Sequence, residues 1–244
     1  MSTLKTNIDA KTVLTFLQKS FHKDIVSVEP IKGGELAQVF FFTLNNKAYV
    51  IRVNTAFEHF EKDKYAYEHF TSEHLPIPEM IALGKLNDTY FYAISTRVPG
   101  IPVSQIKGAA MQKLMPNLMQ TLDTIRTTDI SGTSGFGDFD SHGKGKCASW
   151  KEFLLSISDE ESFSWNMVFT ETCFDKTVYD STYEVLLQLI SFCPEERYLI
   201  HGDFGFDNVL CDREKVTGVL DWSYAAYGDF LFDEAKAFYD VIQI

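Results

Sequence analysis

The stretch Tyr198-Leu-Ile-His-Gly-Asp-Phe-Gly-Phe-Asp-Asn-Val-Leu-Cys211, continued by Val219-Leu-Asp221-Trp222, decides the fold of this chain. It places three polar residues, Asp203, Asn208 and Asp221, within nineteen positions of each other. The short apolar runs around them read as strands, with a charged turn at 212–215 between the last two. Residues 201–207 are therefore predicted to form a loop that leaves a strand, where a rigid scaffold often presents reactive side chains.

The types and spacing of these three residues suit phosphoryl transfer. A carboxylate beside an acceptor hydroxyl can take its proton, and an amide oxygen with a second carboxylate can hold a hard cation such as magnesium. Phosphoryl transfer requires this set because its catalysis is mostly positioning and charge neutralisation. Asp and Asn are also common turn formers, so the prediction depends on the whole combination rather than on one pair.

The form His-Gly-Asp-x-x-x-x-Asn with a later Asp-Trp resembles the aminoglycoside phosphotransferase family, and in particular its hygromycin B phosphotransferases. Protein kinases carry His-Arg-Asp-x-x-x-x-Asn and Asp-Phe-Gly at the matching places. The resemblance implies that Asp203 orients or deprotonates the acceptor hydroxyl and that Asn208 and Asp221 bind Mg²⁺. His201 is interpreted as a residue that braces the loop through hydrogen bonds, and Asp207 as a solvated turn residue.

Composition narrows the class of protein. The chain has 244 residues, of which 45% are hydrophobic and 23% charged, as in soluble globular proteins. Its net charge of -12 argues against nucleic acid or an anionic membrane as a partner. That charge suits a cationic substrate, although solubility alone also explains it. Four scattered cysteines, no secretory signal and no long apolar run predict a cytoplasmic protein with reduced thiols.

The first hundred residues predict a small β structure with two helices. Apolar periodicity indicates a helix over 7–23, capped by Asn7 or Asp9, followed by strands over 26–30, 38–44 and 48–53. Gly33 and Gly34 lie between the first two strands. Paired glycines allow close approach to nucleotide phosphates, and a plain hairpin turn is the alternative reading.

Arg52 lies among apolar residues of the third strand, so it requires an anion, either phosphate or carboxylate. A surface arginine beside a strand is the alternative. The run Tyr49-Val-Ile-Arg-Val-Asn54 resembles the matching stretch of hygromycin B phosphotransferases. In kinase-like folds a carboxylate from the next helix, here 57–74, holds the basic residue. Asp63 fits that position best and Glu61 second, although either could belong to the solvated face of the helix.

The segment Thr96-Arg-Val-Pro-Gly100 ends a strand predicted over 90–95 and separates a lobe of residues 1–97 from a lobe of residues 98–244. In the resembling family this linker lies along the adenine. The resemblance therefore implies nucleotide contacts, mainly through backbone groups, from Ser95, Thr96, Arg97 and Val98.

The second lobe is predicted to be mainly helical, with helices over 111–126, 150–157 and 178–192 and a final helix before the end. A Gly- and Ser-rich stretch over 129–146 reads as a long loop. Three carboxylates are candidates to bind the ammonium groups of a cationic acceptor, namely Asp229, Asp233 and Glu234. Members of the resembling family usually continue with several more helices, so its C-terminal part is expected to be missing.

These patterns together predict an α+β, two-lobed protein-kinase-like fold with a small antiparallel β N-lobe and a mainly helical C-lobe. The resemblance implies transfer of the γ-phosphate of ATP or GTP to a hydroxyl of an aminoglycoside such as hygromycin B, with Mg²⁺ as cofactor. A metabolic kinase for choline, homoserine or a sugar is the nearest alternative. A nucleotide-binding module without catalysis is the alternative from another class.

Overall fold

The computed structural model of this chain describes residues 6–31, 37–159 and 164–242. Gly33 and Gly34, predicted to cover the nucleotide phosphates, lie outside the described residues. Within the described part, no helix is long and apolar enough to span a membrane.

The first part of the chain forms a five-stranded antiparallel sheet with the strand order β1-β2-β3-β5-β4. Its strands are β1 (Glu29–Pro30), β2 (Gln38–Leu44), β3 (Lys47–Asn54), β4 (Met80–Lys85) and β5 (Phe91–Thr96). Asn45 and Asn46 connect β2 to β3 with φ values of 52° and 60°. Positive φ at both positions is what a tight two-residue hairpin requires, and Asn tolerates it better than most residues.

Two helices flank this sheet, α1 (Ala10–Ser20) and α2 (Phe57–Phe70). Asp9 is the N-cap of α1, since its side chain accepts a hydrogen bond from the Thr12 N–H at 2.9 Å. Ile51 and Val53 of β3 are buried in the same apolar cluster as Val13 and Leu17 of α1. Because side chains alternate along a strand, Arg52 points to the other face of the sheet, where α2 lies.

The remaining helices and strands form a mixed second part. Its helices are α3 (Ala109–Thr127), α4 (Trp150–Leu155), α5 (Trp165–Glu171), α6 (Lys176–Leu189) and α7 (Leu231–Ile242). Its strands are β6 (Ile101–Pro102), β7 (Phe136–Phe139), β8 (Gly145–Cys147), β9 (Tyr198–Ile200), β10 (Val209–Cys211), β11 (Val216–Val219) and β12 (Ala226–Gly228). They make two small sheets with the orders β11-β10-β6 and β8-β7-β12-β9.

A large apolar core lies beneath the loop between β9 and β10. The helix α3 contributes Leu114, Leu118 and Leu122 to it, and the loop itself contributes Phe204 and Phe206. Burying two aromatic side chains of the loop in this core fixes its backbone, and the polar residues on either side of them, Asp203 and Asn208, can then be held in one geometry.

The helix α2 joins the two parts of the molecule. Its side chains Tyr65, Ala66 and Phe70 belong to the large core rather than to the cluster around α1. The predicted boundary at residue 97 coincides with the end of β5. The division into lobes of 1–97 and 98–244 stays a prediction. The helix α2 belongs to the first range by sequence, but its buried side chains pack in the core of the second.

The stretch 129–146 is not the structureless loop that its Gly and Ser content suggested. It contains β7 and the first residues of β8, and β7 pairs with β12, which in turn pairs with β9. Arg197 anchors the preceding turn by donating to the carbonyls of Ile130 and Thr133. These strands are short and are stabilised by partners distant in sequence, so local alternation does not reveal them.

Candidate active site

His201 holds the loop between β9 and β10 from inside the protein. Its Nε2 donates to the Leu220 carbonyl at 2.9 Å, and its Nδ1 accepts from the Asp203 N–H at 3.3 Å. These partners require a neutral ring with its proton on Nε2. Burial lowers the pKa of His201 to about 4, so the neutral form persists at physiological pH. The geometry fits the bracing role expected for this residue.

Gly202 explains why the arginine of protein kinases is replaced here. Its φ is 83°, a conformation that residues with a Cβ rarely adopt. A Cβ built at this position would lie 2.1 Å from the Tyr224 carbonyl oxygen. The loop therefore packs against the segment after Asp221 more closely than a larger residue would allow.

Asp203 and Asn208 are joined by hydrogen bonds across the loop. Asn208 Nδ2 donates to Asp203 Oδ2 at 2.9 Å and to the Asp203 carbonyl at 3.0 Å. The Asp203 side chain is 39% exposed, and its Oδ1 lies 3.6 Å from Lys236 Nζ. Because the amide nitrogen of Asn208 faces Asp203, the planar amide directs its oxygen away from that carboxylate.

Asp221 directly follows Leu220, whose carbonyl holds His201. It adopts a left-handed conformation with φ 60° and ψ 74°, and its Oδ1 accepts from Ser223 Oγ at 2.7 Å. Burial opposes ionisation of this carboxyl, but the Arg52 charge and the Ser223 hydrogen bond outweigh it and lower the pKa. Asp221 is therefore a carboxylate, the form that binds a cation.

Arg52 and Asp63 connect the first sheet to this segment. Arg52 Nη2 donates to Asp63 Oδ2 at 2.5 Å, and Asp63 Oδ1 accepts from the Trp222 N–H at 2.7 Å. Burial opposes the charge of Arg52, yet Asp63 and Asp221 raise its pKa. The carboxylate on α2 that pairs with Arg52 is thus Asp63, and Glu61 does not take this place.

The four residues predicted to contact the nucleotide, 95–98, lie at the end of β5 and directly after it. Ser95 is buried within β5, the Thr96 N–H donates to the Glu79 carbonyl, and the Arg97 N–H donates to the Ala48 carbonyl. The Arg97 guanidinium also lies over the Phe41 ring. Among the described residues, no group accepts a hydrogen bond from the Val98 N–H.

The three carboxylates predicted to face the acceptor lie in different environments. Asp233 is 2% exposed, and its two oxygens accept from the His201 N–H at 2.5 Å and the Gly202 N–H at 2.8 Å. It therefore holds the loop, which differs from the predicted contact with an acceptor. Asp229 accepts from the Leu231 N–H at the start of α7. Glu234 lines an apolar cavity of about 460 Å³ between α3 and α7.

Two lysines at this site were not singled out from the sequence. Lys236 Nζ on α7 lies 3.6 Å from Asp203 Oδ1. Lys62 on α2 is buried, donates to the Ala225 carbonyl at 2.7 Å and pairs with Asp138 of β7. Its pKa is lowered by burial, which the Asp138 charge only partly offsets. The only signal for Lys62 in the sequence is that a lysine lies beside buried positions of the helix. Its partners could not be found in this way, because Asp138 and Ala225 are 76 and 163 positions away.

The residues present suit a magnesium ion bound together with substrate phosphates. No group of three or more His, Cys, Asp and Glu side chains in the described part of the chain could hold a metal alone. Magnesium in kinase sites is typically bound by one or two protein oxygens, waters and the phosphates themselves. The ionised Asp221 and the amide oxygen of Asn208 fit that requirement.

Sequence comparisons show that this chain is similar to known phosphotransferases. The model of a family described as "Phosphotransferase enzyme family" matches residues 27–243. Hygromycin-B 4-O-kinase from Escherichia coli is 34% identical over 238 residues, which are 96% of this chain and 68% of that protein. Homoserine kinase from Methylobacillus flagellatus is 25% identical over 230 residues, which are 89% of this chain and 64% of that protein.

Solved structures of aminoglycoside phosphotransferases superpose on this chain. Aminoglycoside phosphotransferase APH(4)-Ia superposes with a TM-score of 0.86 at 34% identity, covering 94% of this chain and 76% of that chain. A thermostable mutant of APH(4)-Ia in ternary complex with AMP-PNP and hygromycin B gives a TM-score of 0.85, covering 93% and 76%. The GDP and kanamycin complex of APH(2″)-IIIa, at 18% identity and a TM-score of 0.67, shares the fold. The predicted α+β kinase-like fold is confirmed.

Proposed function

This chain belongs to the phosphotransferase enzyme family, and from that premise we propose that it transfers the γ-phosphate of a nucleoside triphosphate to a hydroxyl group of an aminoglycoside. The observation that carries the proposal is the partly exposed Asp203 carboxylate, whose Oδ2 accepts a hydrogen bond from Asn208. Hygromycin B is the favoured acceptor, because a relative 34% identical over 96% of this chain is a hygromycin-B kinase.

In the proposed step, Asp203 Oδ1 accepts the proton of the acceptor hydroxyl as its oxygen attacks the γ-phosphorus. The O–H bond breaks and an O–P bond forms. The bond from the γ-phosphorus to the bridging oxygen breaks, and its electron pair leaves with the nucleoside diphosphate. The Asn208 hydrogen bond keeps Asp203 in one orientation, so the base does not reorganise during the transfer.

The donor nucleotide would lie between the first sheet and the loop. Arg52 would bind its phosphates with the outer edge of the guanidinium, since Asp63 occupies Nη2. Gly33 and Gly34 would cover the phosphates, and the Val98 N–H would bind the base. Magnesium held by Asn208 and Asp221 would neutralise phosphate charge. The ATP analogue bound to the related structure favours ATP over GTP.

The acceptor is proposed to be cationic because the protein carries a net charge of -12. Glu234 and Asp229 remain the candidate carboxylates for its ammonium groups, while Asp233 is engaged with the loop. We place the reaction in the cytoplasm, where nucleoside triphosphates are available, with neither a membrane nor nucleic acid as a partner.

The test is transfer of γ-labelled phosphate from ATP to hygromycin B by the purified chain. Asp203→Ala should lower the rate by about 10²- to 10⁴-fold, the usual contribution of a general base. Asp88→Ala, at an exposed turn position, is the matched control and should leave the rate unchanged. Transfer that is equally fast in Asp203→Ala would refute the assigned role.

A metabolic kinase is the second candidate, and the 25% identity to a homoserine kinase favours it. A panel of homoserine, choline, sugars and aminoglycosides separates the two candidates. Labelling of homoserine alone would replace the first proposal. Nucleotide binding without transfer to any of these acceptors would instead favour a module without catalysis.

A further inference from the structure

The helix α7 presents two charged side chains to the catalytic loop from neighbouring turns. Asp233 binds the backbone amides of His201 and Gly202. Lys236, three residues later and therefore on the same face, places its Nζ 3.6 Å from Asp203 Oδ1. One helix thus contacts both the backbone of the loop and its reactive carboxylate.

The ion pair between Lys236 and Asp203 contributes little to the stability of the fold. The distance of 3.6 Å exceeds that of a hydrogen bond, and the two side chains are 40% and 39% exposed. Ion pairs of this exposure contribute little to folding because water and salt screen them. The position of Lys236 therefore suggests a role in the reaction itself.

The lysine faces the oxygen of Asp203 that the reaction uses. Oδ2 already accepts a hydrogen bond from Asn208, and Oδ1 is left for the acceptor hydroxyl. An acceptor oxygen at hydrogen-bond distance from Oδ1, roughly 2.7 Å, would share this atom with an ammonium group 3.6 Å away. Lys236 would then lie next to the two atoms between which the new O–P bond forms.

Positively charged side chains lie on both sides of the proposed reaction centre. Arg52, paired with Asp63, supplies positive charge on the side of the sheet that would hold the nucleotide. During transfer, negative charge spreads over the three equatorial oxygens of the phosphoryl group as it approaches the acceptor. Among the described residues, Lys236 is the ion-pair partner of Asp203, and it would lie on the side of the acceptor. Its flexible four-carbon stem can follow the phosphoryl group as that group moves.

We propose that Lys236 is a catalytic residue that contacts the transferred phosphoryl group from the acceptor side. This inference rests on the proposed function. The ammonium group keeps its proton throughout, since Asp203 takes the proton of the hydroxyl. Its contribution is electrostatic and is largest when the phosphoryl group lies between the nucleotide and the acceptor.

The experiment compares Lys236→Met and Lys236→Arg with the wild-type chain in steady-state transfer from ATP to hygromycin B. We expect Lys236→Met to lower kcat about 10- to 100-fold while the KM for ATP changes by less than about twofold, because only the transition state loses a contact. Lys236→Arg should retain most of the activity. Lys85→Met, which removes an equally charged exposed side chain from the first sheet, is the control.

An unchanged kcat in Lys236→Met would overturn the inference. If the KM for hygromycin B fell as well, Lys236 would be a competitor of the acceptor's ammonium groups rather than a catalytic residue. If no aminoglycoside is phosphorylated by the wild-type chain, the proposed function fails. The same comparison is then made on ATP hydrolysis with water as acceptor, where equal rates in Lys236→Met and wild type overturn the role of Lys236 separately.

Discussion

The Arg52 guanidinium and the buried Asp63 carboxylate form an ion pair with 2.5 Å between Nη2 and Oδ2. The other Asp63 oxygen accepts the N–H of Trp222, directly after Asp221. One side chain of α2 thus fixes both a residue that would bind phosphate and the segment that carries the candidate metal ligand.

Replacing Asp63 by Ala should therefore reduce both stability and nucleotide binding. It leaves an arginine that is only 21% exposed without its partner, and breaking a fully buried pair in this way costs at most about 3–5 kcal/mol of unfolding free energy. Chemical denaturation measures this loss, and the KM for ATP should rise. Glu61→Ala, on the same helix, should stay within about 0.5 kcal/mol of the wild type. Equal losses in the two variants would show that Asp63 has no special role.

Elements that depend on neighbouring residues were predictable from the sequence. The hairpin of β2 and β3 follows from alternating apolar residues around Asn45 and Asn46. The loop from His201 to Asn208 follows from polar residues between two short apolar runs. The Arg52–Asp63 contact was expected from the resemblance, because kinase-like folds pair the basic residue of this strand with a carboxylate from the next helix.

Elements that depend on distant partners were not predictable. β7 and β12 are short strands that pair with each other, although about ninety residues separate Gly137 from Tyr227. The three acidic residues near the end of the chain, Asp229, Asp233 and Glu234, predict contacts with a cationic acceptor. Only the packing of α7 against the loop shows that Asp233 points inward, since sequence alone does not give the rotation of a helix about its axis.

Gly202→Ala should disrupt the catalytic loop. The substitution places a Cβ 2.1 Å from the Tyr224 carbonyl at a φ of 83°, so the loop must move. We expect a loss of at least 2 kcal/mol in unfolding free energy, roughly the cost of a strained residue in a packed site, together with loss of transfer. Thermal unfolding and the transfer assay measure these effects. Gly132→Ala is the control, because a Cβ there meets no atom within 4 Å.

The buried His201 should make stability depend on pH. Its pKa is lowered from 6.5 to about 4, so the unfolded chain binds a proton that the folded chain excludes. The contribution of neutral His201 to the free energy of unfolding is complete above pH 6.5 and is lost as the pH falls towards 4. His201→Gln cannot titrate, so its stability deficit against the wild type should shrink by about 2 kcal/mol between pH 7.5 and pH 5. A deficit that is constant in denaturation at both values would contradict this.

Asp233, which accepts the backbone N–H groups of His201 and Gly202, should produce the opposite dependence. Burial raises its pKa from 3.8 to about 7, so the folded chain holds a proton that the unfolded chain releases. This contribution is complete below pH 3.8 and is lost as the pH rises towards 7. The deficit of Asp233→Asn should therefore grow by about 2 kcal/mol between pH 7.5 and pH 5, as measured by chemical denaturation. Because the His201 and Asp233 effects oppose each other, the wild-type stability should vary less over this range than either deficit. Deficits that change in the same direction in the two single variants would show that this pair does not titrate as its burial requires.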